Sequence, residues 1–230
     1  MVRERIPESI ETKNGAGLMK AKEFWHESLT QASWEKLAEL SKEYDFTVIG
    51  GWAAWLWTKQ HKSRDIDIVA DYGTLEGLRQ KYGVRKNDRL KKYEIKMQDF
   101  DVDIYVPYYS KLEIPAEELS RETAKIEGIK TVSPESLLIL KQGAEIARRN
   151  TVKGVKDRID ILTILVHSPV SLEKYGKKLS QYKKQSLKKE LIHAITSFNP
   201  KDSEQYLGLK MNEFAKRKKE LMRKIKNLAD

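Results

Sequence analysis

The chain reads as an α+β protein: a small mixed sheet with helices on one face, continued by a basic helical extension from residue 170. Three observations predict this. Short runs rich in β-branched residues alternate with stretches of helical period in the first two thirds, nothing but helical period follows Pro169, and the excess charge is confined to the same last third. The 230 residues carry a net charge of +10, yet residues 171–230 hold 16 Lys and Arg against 7 Asp and Glu, and residues 1–170 are close to neutral. With 40% hydrophobic residues and no Cys, the composition excludes disordered and disulfide-stapled classes, thiolate metal sites and thiol nucleophiles. No apolar run is long enough to span a bilayer and the N-terminus has no apolar signal core, so a cytoplasmic, membrane-free protein is expected.

Residues 1–22 read as a loose polar arm interrupted by Gly15-Ala16-Gly17. A domain over 23–169 follows. Thr30 is placed to cap a helix over Gln31–Glu43, where Trp34, Leu37, Ala38 and Leu40 recur at helical spacing. Phe46–Ile49 reads as a strand running into Gly50-Gly51 and a helix from Trp52 to Gln60, whose tryptophans serve packing. Asp65–Val69 alternates with period two, as a strand with one buried face does. Thr74–Lys81 reads as a short helix, the basic stretch Arg85–Arg89 as a loop, and Tyr93–Met97 with Phe100–Val106 as a hairpin turning at Gln98-Asp99. Ser133-Pro134 supplies a cap and a first-position proline for a helix reaching Ala147, and a second helix covers Val155–Leu165. Residues 170–230 form the basic helical region, broken at Asn199-Pro200.

Chemistry concentrates in a strand ending at Gly50-Gly51, a helix, Asp65-Ile66-Asp67 on the next strand and Asp101-Val102-Asp103 on a later one. Carboxylates two apart on a strand share a face, while Ile66 and Ile68 enter the core. Such a pair suits Mg²⁺, a hard cation that takes carboxylates together with phosphate oxygens. A third carboxylate, Asp103, allows two ions, the arrangement that activates an attacking hydroxyl and stabilises leaving pyrophosphate. Asp101 shares its face; the apolar flanks of Asp103 favour the latter. The glycines admit a triphosphate close to the backbone, and the helix behind them aims its first amides at it.

These residues resemble the core of the DNA polymerase β-type nucleotidyltransferase superfamily: Ile49-Gly50-Gly51, thirteen intervening residues, Asp65-Ile66-Asp67-Ile68 and Val102-Asp103-Ile104 match its pattern part by part. The resemblance implies the nucleotidyltransferase fold, two Mg²⁺ ions, and transfer of a nucleoside monophosphate from an NTP. Asp65, Asp67 and Asp103 would be catalytic and metal-binding. Gly51 stands where many members have Ser, and Ser63 is the residue placed to compensate. At lower specificity the chain is similar to minimal and abortive-infection toxin nucleotidyltransferases. Leu140-Lys141-Gln142 with Arg148, then Lys156-Asp157-Arg158-Ile159-Asp160, match their two later helices, and Gly50, Gly51, Ser63, Lys141 and Arg148 are accordingly expected at the NTP. For Lys153 with Asp157 and Lys156 with Asp160, the plainer reading is ordinary surface ion pairs four residues apart.

The resemblance and the basic tail together point to an RNA acceptor, tRNA included, with Lys216, Lys218 and Lys219 as nucleic-acid contacts and a cognate antitoxin protein as partner. Protein nucleotidylation, a non-catalytic RNA-binding or antitoxin-like protein, and a structural protein with solvent-facing acidic strands are the alternatives. His26, His61, His167 and His193 are isolated, so zinc is not expected, and neither a phosphate loop nor a dinucleotide fingerprint is present.

Overall fold

The structure is a computed structural model that describes residues 23–228; the predicted arm over 1–22 lies outside them. Helix α1 (Glu27–Glu43) leads into strand β1 (Thr47–Ile49), helix α2 (Gly50–Thr58), strand β2 (Ile66–Val69) and helix α3 (Tyr72–Lys81). Strands β3 (Val84–Asn87), β4 (Lys92–Lys96) and β5 (Asp101–Tyr105) precede helix α4 (Ala116–Leu119), and β6 (Thr123–Ile126) and β7 (Ile129–Val132) precede helices α5 (Pro134–Arg148) and α6 (Val152–His167). Helices α7 (Leu172–Gln181), α8 (Leu187–Ser197), α9 (Ser203–Leu207) and α10 (Met211–Lys226), with a 3₁₀ turn at Pro200–Asp202, complete it. The seven strands form one mixed sheet in the order β3-β4-β5-β2-β1-β7-β6, the predicted fold class.

Register places the site. Strand β2 lies antiparallel to β1 and parallel to β5, with Asp67 opposite Asp103, and β4 lies antiparallel to β5 with Glu94 opposite Asp103. Ile66, Ile68, Val102 and Ile104 are fully buried on the other face, which fixes the register because a slip of one residue would put the aspartates in the core. The predicted hairpin is present, with Met97 donating to Phe100 O at 3.0 Å across its turn. The caps of α5 and α6 are local devices: Ser133 Oγ accepts from Ser136 N at 3.3 Å, and Thr151 Oγ1 accepts from Gly154 N at 3.1 Å.

Four expectations are corrected. Helix α1 begins at Glu27, and Thr30 lies inside it, its hydroxyl donating back to Glu27 O at 3.0 Å instead of capping. Helix α2 begins at Gly50, two residues before Trp52, and α6 begins at Val152, three before Val155. The basic stretch read as a loop contains β3, an edge strand whose exposed Arg85 and Lys86 hide its period and protect the edge. The hairpin of β6 and β7 is absent from the sequence reading. Its strands are four residues long, Lys125 and Lys130 interrupt the apolar pattern, and the turn is signalled only by Glu127-Gly128, both at positive φ (51° and 81°). It matters because β7 pairs in parallel with β1, and Thr131 Oγ1 donates to Val48 O at 3.1 Å.

One apolar cluster runs from the sheet through α5 and α6 into the C-terminal helices, taking in Trp52, Leu137, Ile164, Tyr175, Leu191 and Phe214. Trp52 Nε1 donates to Ser33 Oγ at 2.7 Å, so this tryptophan packs, as expected, between α1 and α2. Tyr175 donates its hydroxyl to Gln142 Oε1 at 2.7 Å, and Gln142 Nε2 donates to Leu187 O at 2.7 Å, which ties α7 and α8 to α5 through buried polar groups. Among the described residues no helix is long and apolar enough to cross a membrane.

Candidate functional site

Asp65 ends the approach to β2, Asp67 lies on it, and the parallel pairing with β5 sets Asp103 beside Asp67 on the same face. All three line a cleft enclosing about 70 Å³, closed by Gly51 and Ser63 on one side and by Lys141, Arg148 and Lys153 on the other. Asp101 does not line it: its carboxylate pairs with Lys96 at 2.6 Å. Of the two aspartates the sequence left open, Asp103 is the one in the cleft.

The glycines make the cleft possible. At Gly50 the backbone has φ +67°, and a Cβ there would stand 2.2 Å from Asp67 Oδ2. At Gly51 a Cβ would stand 2.3 Å from Ser63 Oγ, so the Ser63 hydroxyl fills the space that a side chain at 51 would need. Ser63 Oγ itself donates to Asp65 O at 3.1 Å. Helix α2 has no side-chain cap at its N-terminus, so no side-chain acceptor among the described residues caps its first amides, the groups that take an anion at a helix start.

Charge is unevenly satisfied among the carboxylates. Asp65 is held by Arg64 Nε at 3.1 Å and Lys153 Nζ at 2.9 Å; burial opposes its charge, but Lys153 and Arg64 hold it below the usual carboxylate range. Asp67 has no hydrogen-bond partner among the described residues, and burial, reinforced by the charge of Asp103, pushes its carboxyl up to about 7. Asp103 is raised as well, by burial first, with Lys92 opposing at 2.6 Å from Oδ2 while its Oδ1 is buried without any partner.

Behind them lies a buried ionic network. Lys141 Nζ meets Asp157 Oδ1 at 2.9 Å and Asp160 Oδ2 at 2.6 Å, Arg148 Nε meets Asp157 Oδ2 at 2.7 Å, and Lys156 meets Asp160 at 3.0 Å. Burial works against the Lys141 charge, but the two aspartates outweigh it and hold its ammonium well above the ordinary lysine range. The plain surface-pair reading of this helix is therefore corrected. Lys156 and Asp160 do pair, but in the interior, where α6 packs on α5 and α2. Lys153 turns away from Asp157 to Asp65.

The structure thus brings Gly51, Ser63, Asp65, Asp67, Asp103, Lys141 and Arg148 to one cleft, with Gly50 directly beneath. It does not bring Lys216, Lys218 or Lys219 there: they stand on α10, where Lys216 and Lys219 are exposed and Lys218 Nζ donates to Thr196 O at 3.4 Å. Sequence reasoning missed Trp25, whose ring lies under the Arg64 guanidinium at 4.9 Å, together with Arg64 itself. Adjacency to Asp65 was an available signal for Arg64. None existed for Trp25.

Among the described residues no group of three acidic or histidine side chains converges closely enough to hold a metal ion as it stands, and Asp65 and Asp103 are instead held by Arg64, Lys153 and Lys92. The donor set nevertheless fits a hard divalent cation. All its ligands are carboxylate oxygens, the Asp103 Oδ1 is orphaned, and the mutual repulsion at Asp67 is of the kind that a cation relieves.

No family model and no curated protein matches the chain. Among solved structures, the solution structure of the antibiotic-resistance factor ANT(2'')-Ia aligns with a TM-score of 0.51 at 16% identity, over 73% of this chain and 98% of that one. An antigenic nucleotidyltransferase-like protein from Paracoccidioides brasiliensis aligns at 0.39 and 19% identity, over 71% and 91% of the two chains. The Megavirus polyadenylate synthase aligns at 0.41 and 17%, over 76% and 39%. The first of these carries the comparison. The chain has the nucleotidyltransferase fold. On that nucleotidyltransferase frame the glycine pair opens α2 and the three aspartates meet across β2 and β5, while the departure at Gly51 coincides with the inserted hydroxyl of Ser63.

Proposed function

We propose that the protein is a Mg²⁺-dependent nucleotidyltransferase that moves a nucleoside monophosphate from an NTP to an acceptor hydroxyl. The observation that carries this reading is the convergence of Asp65, Asp67 and Asp103 in one cleft with the uncapped start of α2. The acceptor oxygen bonds to the α-phosphorus, the bond to the β-phosphate oxygen breaks, pyrophosphate leaves, and the acceptor's proton passes to the Asp103 carboxylate. Asp65, Asp67 and Asp103 would hold the metal ions, which when bound supply charge neutralisation for the triphosphate and the leaving group. The first amides of α2 bind phosphate oxygens, and the Ser63 hydroxyl joins them by turning its hydrogen from Asp65 O to the phosphate. Lys153 and Arg148, both partly exposed at the mouth, add charge there. The acceptor in this reading is RNA, with tRNA ends as one instance. Its support is the charge of the chain, and a partnering antitoxin rests on the family resemblance alone.

The test offers each α-labelled NTP with Mg²⁺ and total RNA, total protein or small hydroxylated acceptors. Label transfer that disappears in Asp67→Ala is expected. Absence of transfer to every acceptor, together with absence of Mg²⁺-NTP binding by calorimetry, would overturn the reading and leave a non-catalytic member of the fold.

A further inference from the structure

Pairing across the sheet continues the catalytic row outward. Asp67 lies opposite Asp103, Asp103 opposite Glu94 and Glu94 opposite Arg85, so the four share one face from the cleft to the β3 edge. Arg85 therefore stands roughly 10 Å from Asp103, two strand spacings of about 4.8 Å away. Between them the polar groups are mutually satisfied: Lys92 bridges Asp103 and Glu94 at 2.6 and 3.0 Å, and Asn87 donates to Glu94 at 2.9 Å. Arg85 is different. It is exposed, and neither it nor Arg89 has an ion-pair partner among the described residues.

The end of β3 and the turn after it add charge and aromatic surface, with Lys86, opposite Tyr93, on the face away from Arg85 and Glu94. Residues 85–92 hold five cations and one carboxylate. Lys86 and Lys91 lie over the Tyr109 ring at 4.8 and 5.4 Å, and Tyr109 is anchored by its hydroxyl donating to Asn87 O at 3.3 Å and Asp88 Oδ1 at 3.1 Å. Next to this anchor Tyr108 is 88% exposed at φ +61°, a left-handed backbone that bulky residues rarely adopt. The loop does not leave it there by slackness: Ser110 N donates to Val106 O at 3.1 Å and Ser110 Oγ accepts from Val106 N at 3.0 Å. Tyr108 thus follows directly on the contacts that Tyr109 makes with Asn87 and Asp88, which lie between Arg85 and Arg89 in the chain, and offers an outward ring for stacking at the end of an electrostatic track. In the tail, Lys178 and Lys184 are engaged with Glu122 and Glu113, and Lys188 with Leu228 O, whereas Lys216 and Lys219 on α10 are exposed without an ion pair among the described residues and form the competing surface.

We propose that the β3 edge and the Tyr108 loop bind the 3′-terminal stretch of a single-stranded RNA acceptor, with phosphates on Arg85 and Arg89 and a base stacked on Tyr108. The proposal rests on the transferase reading, which puts the terminal hydroxyl at Asp103; the following phosphates then fall along the row that ends at Arg85.

Fluorescence anisotropy of a 5′-labelled oligoribonucleotide titrated with the full chain, without NTP, tests it. In Arg85→Glu/Arg89→Glu the affinity is expected to fall at least about tenfold at low salt, and the log–log salt slope to flatten by about 1.4, near 0.7 for each phosphate that is no longer neutralised. Tyr108→Ala is expected to weaken binding about fivefold or more while the salt slope stays. Arg85→Gln/Arg89→Gln gives the same direction if the reversed pair folds poorly, and calorimetric Mg²⁺-NTP binding should match wild type in all three. Wild-type affinity in these variants, with loss instead in Lys216→Glu/Lys218→Glu/Lys219→Glu, would move the RNA to α10 and overturn the proposal. So would equal binding of polyglutamate, which would mark the patch as a site for an acidic protein. A wild-type protein that binds Mg²⁺-NTP but no RNA would overturn this proposal alone, whereas loss of both would remove the transferase reading with it.

Discussion

Asp67 concentrates the conflict between stability and chemistry at a single residue. Its folded pKa of about 7 exceeds the value near 3.9 of an unfolded aspartate, so the folded protein retains a proton that the unfolded chain has lost. The stability this contributes is present below about pH 4 and is lost as pH rises through about 7. In the metal-free protein, urea unfolding at a series of pH values should therefore show stability declining from pH 4 to pH 7, and Asp67→Asn should reduce that decline and exceed wild type at neutral pH while losing transferase activity. A variant less stable than wild type at pH 7.5 would contradict this assignment. Gly50 is the complementary case. With φ +67° and Asp67 Oδ2 at 2.2 Å from any added Cβ, Gly50→Ala should cost about 1–3 kcal/mol in the backbone alone, read as a lower melting temperature.

At the scale of elements, α5 and α6 are joined through charges that the interior would not tolerate singly. Lys141 lies between Asp157 and Asp160, and all three side chains are nearly sealed from solvent. Removing Lys141 leaves Asp157 with Arg148 alone and Asp160 with Lys156 alone, so Lys141→Met should destabilise, by no more than the roughly 3–5 kcal/mol that a fully unpaired buried charge costs. Asp157→Leu should likewise destabilise, and the double variant should lose clearly less than the sum of the two in a urea double-mutant cycle. Additive losses would mean that the two residues act independently. The same network explains why this helix is hard to interpret from spacing: Lys156 and Asp160 four apart have the signature of a solvated pair, and only the packing of α6 on α5 and α2 puts them inside.

For the whole molecule, the basic C-terminal region shares the core of the sheet domain. Tyr175, Leu191 and Phe214 are fully buried, and Gln142 accepts from Tyr175 while donating to Leu187. The chain should accordingly unfold in a single calorimetric transition, and truncation after Pro169 should yield an aggregating protein, since it uncovers Leu137 and its neighbours on α5. Tyr175→Phe, which strands a buried Gln142 oxygen, should cost about 1–3 kcal/mol by urea unfolding. Two separate transitions, with a stable fragment of residues 1–169, would show that the region is an independent appendage.

The sequence by itself determined the parts whose signals are local. Period-two strands fixed the faces of β2 and β5, Ser133-Pro134 announced α5, and glycine pair plus Asp-x-Asp spacing located Asp65 and Asp67, because each depends on residues within about one turn or one strand. The tertiary structure decided what depends on partners distant in the chain. It chose Asp103 over Asp101, since both share a face and only the meeting with Asp67 across the β2–β5 pair, against the Lys96 contact at the strand's start, separates them. It inserted β7 beside β1 and turned a basic loop into the edge strand β3, because short strands gain their hydrogen bonds from neighbours rather than from propensity. It also placed the Ser63 hydroxyl against Gly51, twelve positions away in sequence, where no spacing rule reaches and only the return of the chain from α2 to β2 closes the gap.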